Sequence, residues 1–302
     1  MEWNESKERF DINHVIGPDE YHVDVNNNAF TNVMAAWNLE KAAGLYTRLK
    51  EQGVLPPALV KKMKLTAGEI ECWLNIARKL SREIDKKGII EQFEGYFKLK
   101  DVILDQVGQN GLPLIPSKIS TMDWEETTLL KQADVVMLLC LLNDEFDAGT
   151  KKANFDYYAL RTTHESSLSP AMHAVMASRV GQEDNAYTFF KAAARMDIDD
   201  VNGNTADGIH SACLGGVWQA VVFGFFGISV VSDMLSIDPV VPEPIKGLRL
   251  NLVWKEYEME ISAANESVAI IVSSSGRPEL SLMVFSRNVR VKPGKRHVFV
   301  RK

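Results

Sequence analysis

Asn28-Ala-Phe-Thr-Asn-Val-Met-Ala-Ala-Trp-Asn-Leu-Glu-Lys-Ala-Ala-Gly-Leu-Tyr-Thr-Arg-Leu-Lys-Glu-Gln52 decides how the first part of this chain is read. Phe30, Val33, Met34, Trp37, Leu39, Ala42 and Leu45 recur at helical spacing, and Gly53 ends the pattern. Ala67 to Ile84 repeats it with Ile70, Trp73, Leu74, Ile76, Ala77 and Leu80, after a Thr66 cap whose reciprocal partner is Glu69. The same period predicts helices over Trp124–Leu142, Pro170–Val180, Glu183–Met196 and Ile209–Phe223. After Gly227 the period falls to that of a strand. Leu248-Arg-Leu-Asn-Leu-Val-Trp254 alternates apolar and polar residues, and so do the stretches at Tyr257, Ser267, Asn288 and His297. Pro239, Pro242 and Pro244 mark the junction. The expected organisation is a helical domain over 1–230 and a small antiparallel β-sheet domain over 231–302.

Composition sets the class. With 302 residues, 46% apolar and 25% charged, the chain can bury a sizeable core. A net charge of −6 without a basic stripe argues against nucleic acid. The basic tail, Arg287 to Lys302, alternates with Val and Phe and reads as a solvated sheet face. Cys72, Cys140 and Cys213 lie far apart in apolar helical contexts, which predicts buried reduced thiols and a cytoplasmic setting. The polar N-terminus lacks the apolar region of a secretion signal, and no run is long enough to span a membrane.

The loops of the helical part carry candidate chemistry. In Gly17-Pro-Asp-Glu-Tyr-His22, Glu20 sits between a rigid proline turn and two rings; partial desolvation there would raise its carboxyl into the range of a proton donor. The plainer alternative is a solvated acidic turn. Lys131-Gln132 at the edge of an apolar helix offers several donors for sugar hydroxyls, or simply a solvated first turn. His164-Glu-Ser-Ser-Leu-Ser-Pro170 leads into a helix, with Ser167 or Ser169 as its cap; a helix start with hydroxyls beside it suits an anion. His210 stands near another helix start, where a lone histidine is more often packed than liganding. Asp197, Asp199 and Asp200 lack the glutamate a calcium loop requires, so no metal is expected. Trp37, Trp73 and Trp218 lie on apolar stripes and are expected in the core.

Taken together, Val15-Ile-Gly-Pro-Asp-Glu-Tyr-His22, Asn26-Asn-Asn-Ala-Phe-Thr-Asn32, Lys131-Gln-Ala-Asp134, His164-Glu-Ser-Ser-Leu-Ser-Pro170 and Gly208-Ile-His-Ser211 resemble, in the same order, glycoside hydrolase family 65. That family holds the inverting α-glucoside phosphorylases of maltose, trehalose, kojibiose and nigerose. The resemblance covers nearly the whole chain. It implies a mainly α fold: the second half of an (α/α)6 barrel followed by the family's small C-terminal sheet domain. It implies Glu20 as general acid, Lys131 and Gln132 on the donor glucose, and Glu94 toward the leaving sugar. Ser166, Ser167 and His210 would bind phosphate. The substrates implied are an α-glucosyl disaccharide and inorganic phosphate, with no cofactor, and the products β-glucose 1-phosphate and a free sugar.

The family's β-sandwich, its linker and the first half of its barrel have no counterpart here. The expectation is a fragment, or one piece of a split enzyme needing an N-terminal partner chain; full-length relatives also suggest a homodimer. Two alternatives stand beside the phosphorylase: a hydrolase of the same fold with Glu165 as base, and an inactive helical remnant that binds sugar or a partner chain.

Overall fold

The computed structural model describes residues 1–302 apart from 83, 116–123, 265, 274 and 275. The chain divides into two compact units, Met1–Val102 with Lys118–Leu130, and Ile103–Ser117 with Lys131–Lys302.

The first unit opens with an antiparallel hairpin of β1 (Glu2–Asn4) and β2 (Arg9–Asp11). Three helices follow: α1 (Ala29–Glu51), α2 (Pro57–Met63) and α3 (Ala67–Lys79). The Thr66 cap is the one the sequence predicts, and the Asn28 cap is not among the predicted ones. Asn28 Oδ1 accepts from Thr31 N at 2.9 Å, and Thr66 Oγ1 from Glu69 N at 3.1 Å. The buried face of α1 is not the predicted one. Ala29, Asn32, Ala36 and Ala43 are buried, whereas Phe30, Val33, Met34, Trp37 and Leu39 are half-buried and Leu45 is exposed. Small residues let α1 approach α3 closely, with Ala36 against Ala77 and Leu80 at the contact. α3 stops at Lys79, short of the expected Ile84. Leu80 turns extended and bridges to Phe10, and Ser81 N donates to Phe10 O.

The predicted helix from Trp124 to Leu142 is also shorter. A single 3-10 turn (Trp124–Glu126) is followed by bends and isolated bridges, and α4 covers only Val135–Leu141. The intervening backbone groups are committed sideways. Thr127 O accepts from His22 Nε2 and Thr128 O from Tyr96 Oη, while Thr128 N donates to Lys100 O. Groups spent on lateral partners cannot close helical turns.

In the second unit α4 is followed by α5 (Ala148–Ala159), α6 (Ser169–Arg179), α7 (Glu183–Ala194) and α8 (Ser211–Gln219). α8 runs on into a π-helical turn, Ala220–Phe225. Gly227 then reverses the chain with φ +59°, and a Cβ there would lie 2.1 Å from Asp238 O, so only glycine fits. Beyond it come β3 (Ser229–Val231), β4 (Met234–Ile237), β5 (Leu248–Trp254), β6 (Tyr257–Ala264), β7 (Ser267–Val272), β8 (Leu280–Val284), β9 (Arg287–Val291) and β10 (Arg296–Val300). They form two four-stranded sheets, ordered β10-β7-β6-β5 and β3-β4-β8-β9. All pairings are antiparallel except β4 with β8, where Ser236 and Ile237 pair in parallel with Met283 and Val284. The sheet core contains Ile261, Ile270, Leu282 and Val284, and it also takes in Val222 and Phe226 from the end of the helical run. The tryptophans expected in the core of the helical part are not fully buried: Trp37 and Trp73 are half-buried, and Trp218 is 53% exposed. Among the described residues no helix is long and apolar enough to cross a membrane.

Candidate active site

In the first unit, the loop from Val15 to Val25 is closed at its base by two backbone bonds between those residues, of 3.0 and 2.8 Å. Gly17, at φ +73°, lies directly over the Asn28 amide, where a Cβ would come within 2.5 Å of Nδ2. Asp19 is fully buried. Its Oδ2 faces His22 Nδ1 at 2.7 Å and accepts from Gln92 Nε2 at 3.2 Å. The other edge of His22 is fixed too: Thr127 O can only accept, so Nε2 donates to it, at 2.9 Å. Tyr21 stacks on Trp124, with centroids 4.7 Å apart and planes inclined by 18°. Both neighbours of Glu20 are therefore locked down. Glu20 itself is exposed, not desolvated as expected.

Glu94 follows from the same asparagine-rich junction. Asn27, in the left-handed region at φ +53°, donates through Nδ2 to Asp11 Oδ1 and Glu94 Oε2, each at 2.9 Å. Lys7 and Arg9 donate to the two Glu94 oxygens as well. The Lys7 ammonium, with Asn27 and Arg9 behind it, holds the Glu94 carboxyl below the usual range. The carboxylate assigned to the leaving sugar thus already receives three donors from this unit.

In the second unit, Lys131 and Gln132 are half-buried and lead into the buried pair Ala133-Asp134 ahead of α4. The turn is tied to α6, because Ala133 N donates to Ser169 Oγ at 3.1 Å. That bond corrects the expected cap. Ser169 is the first residue of α6, the capping position falls to Leu168, and neither serine caps the helix through its side chain. Ser166 and Ser167 are half-buried in the turn before α6. Ser166 O accepts from Ser169 N at 3.2 Å. Glu165, the base of the hydrolase alternative, is exposed.

His210 occupies the position before α8 and is oriented by Asp197, which the sequence reading weighs only as a calcium-loop acid. Asp197 accepts from His210 N at 3.0 Å and from Nδ1 at 2.5 Å. Donation from His210 holds the Asp197 carboxyl below its ordinary range. With Nδ1 engaged, the ring presents its Nε2 edge. The neighbouring acids go elsewhere: Asp199 pairs with Arg195, and Asp200 accepts from Thr205 N at 2.9 Å. The thiols differ from expectation in one case. Cys213 is buried and Cys140 partly so, both pushed up to about 11 by burial, but Cys72 is exposed.

Comparison with known proteins places these residues in a lineage. The description "Glycosyl hydrolase family 65 central catalytic domain" matches residues 1–219, and "Glycosyl hydrolase family 65, C-terminal domain" matches residues 228–291. A kojibiose phosphorylase of Caldanaerobacter subterraneus subsp. tengcongensis is 43% identical over 274 residues, covering 89% of this chain and 35% of the relative. An α,α-trehalose phosphorylase of Thermoanaerobacter brockii is 34% identical over 298 residues, covering 95% of this chain and 37% of the relative. A solved structure described as a candidate kojibiose phosphorylase from the human microbiome superposes with a TM-score of 0.85 at 28% identity, over 99% of this chain and 39% of that one. The chain thus spans little more than a third of the length of these relatives. The motifs, the helical part with its small sheets and the two consecutive domain matches agree, and the chain belongs to glycoside hydrolase family 65.

Proposed function

We propose that this chain serves the phosphorolysis of an α-linked glucose disaccharide with inversion, giving β-glucose 1-phosphate and a free sugar. The observation that carries the reading is the likeness, at 43% identity over 89% of the chain, to a kojibiose phosphorylase. Glu20 is assigned the proton that goes to the glycosidic oxygen as the C1–O bond breaks. Lys131 and Gln132 are assigned to the glucosyl hydroxyls, Glu94 to the leaving sugar, and Ser166, Ser167 and His210 to phosphate. Phosphate is already an anion at neutral pH, so it needs positioning and no general base. Its oxygen forms the new bond to C1 from the face opposite the leaving group, which inverts the configuration. The anion also offsets the positive charge that develops at C1. No cofactor enters this scheme. We place the protein in the cytoplasm; the relatives are longer than this chain, and an added chain carrying the rest of their length is the partner used in the test.

The test offers kojibiose, trehalose and maltose to the chain, alone and with such a partner, with and without inorganic phosphate. β-Glucose 1-phosphate formed only with phosphate, and from kojibiose first, is the expected result. Equal sugar release in both buffers would turn the reading to hydrolysis. No turnover of any of the three with partner and phosphate present sinks it.

A second reading, in which the chain is an inactive helical remnant that binds sugar or a partner chain without turnover, is favoured by one observation: Glu20 is exposed.

A further inference from the structure

His164 stands immediately before Glu165-Ser166-Ser167 and has three features that nothing in the scheme above uses. Its backbone is left-handed, at φ +59°. Its ring is 2% exposed, yet neither nitrogen has a hydrogen-bond partner among the described residues. The ring is enclosed by aromatic faces: it meets His173 edge-on at 4.5 Å and Phe189 at 5.0 Å, and those two rings lie 5.3 Å apart. A buried polar group without a partner costs free energy, and so does a left-handed non-glycine residue. Two such costs at one residue persist only where the surroundings hold it in place.

The enclosure is connected to the turn on the other side of α6. His173 lies one turn into that helix, with Nδ1 3.1 Å from Ser169 O. Ser169 Oγ accepts from Ala133 N. One packed path therefore runs from His164 through His173 and Ser169 to the Lys131-Gln132 turn. The loop with the serine hydroxyls and the turn with the sugar-directed donors are braced by the same pair of imidazoles.

We propose that His164 is a positioning residue: its ring, wedged between His173 and Phe189, holds the Glu165–Leu168 loop and the Lys131–Gln132 turn in one fixed arrangement. The importance of that arrangement for phosphate rests on the reading given above. The ring acts as a shaped aromatic body, since its nitrogens have no partner among the described residues. Histidine suits the place because it tolerates the left-handed region better than most side chains of its size.

Amide hydrogen exchange on the full chain tests this. The reporters are the amides of Leu168, Ser169 and Ala133, whose bonds go to Ser166 Oγ, Ser166 O and Ser169 Oγ. His164→Asn keeps left-handed tolerance but removes the ring; exchange at all three should rise about tenfold or more, beyond the change in global stability. His164→Phe restores the ring without its nitrogens and should stay within about threefold of wild type. If His164→Asn does not fold, Phe189→Leu, which opens the enclosure from outside the loop, should loosen the same three amides. Unchanged exchange in the folded ring-deleting variant overturns the proposal, and so does failure of His164→Phe to restore it. A separate arm titrates inorganic phosphate into the same proteins and into Ser166→Ala/Ser167→Ala. Affinity should follow exchange across the His164 variants. If phosphate binds neither wild type nor variants while exchange shifts as expected, the phosphate reading fails and the positioning role stands.

Discussion

At the scale of single residues, the loop from Val15 to Val25 is organised around Asp19 and not around Glu20. Sequence alone singled out Pro18-Asp19-Glu20-Tyr21 but gave the desolvated place to Glu20, whereas Asp19 is the buried carboxyl. Which of two adjacent acids turns inward depends on His22, Gln92 and Thr127, and two of those three are far away in the chain. Glu20→Gln, in whatever assembly turns substrate over, should lower kcat roughly 10²- to 10⁴-fold with little change in sugar affinity, measured by initial rates and by binding. Asp197 was legible only as one of three clustered acids, because its partner His210 is set by a turn the pattern does not specify. Asp197→Asn removes a charge-assisted bond that fixes the ring, so phosphate affinity should fall roughly tenfold while the melting temperature moves little. Titration calorimetry with inorganic phosphate checks both sides of that statement.

At the scale of elements, legibility followed the strength of local signals. α3 and α7 carry a repeating apolar face, and both were found. α5 was missed because its buried residues, Asn154, Phe155 and Tyr158, make too thin a stripe; the usable clue was its cap, Asp147 accepting from Thr150 N at 2.8 Å. β3 and β4 are too short for an alternation to register. α6 is nearly all buried, and it carries a consequence for pH. Burial holds His173 down at about 4 and His164 well below its ordinary 6.5, with His173 adding to the effect on His164. Unfolding hydrates both rings and restores ordinary affinity for protons. The stability carried by the neutral rings is therefore complete above pH 6.5 and drains away as pH falls toward 4. For His173 alone the loss by pH 4 is on the order of 3 kcal/mol. Urea midpoints between pH 7 and 4.5 should fall less steeply in His173→Phe than in wild type; parallel slopes would show that the ring is not neutral in the folded state.

At the scale of the whole molecule, the change of period after Gly227 announced a sheet domain, but not how it is attached. Val222 and Phe226 sit in the sheet core although they precede the glycine. No periodicity shows this, since a residue near a helix end reads alike whether it packs backward or forward. A chain ending at Gly227 would uncover both side chains, each worth roughly 1.5–3 kcal/mol of burial. It should bind a hydrophobic dye and aggregate on heating, while the full chain does neither at the same temperature. The π-helical turn Ala220–Phe225 shapes that join: a wider coil than an α-turn shifts the angular position of every residue after it. For anyone recombining members of this family, the safe crossover point lies upstream of Ala220, not at the glycine. A graft begun at Gly227 would join one parent's sheets to another parent's plug, with the rotational phase left to chance.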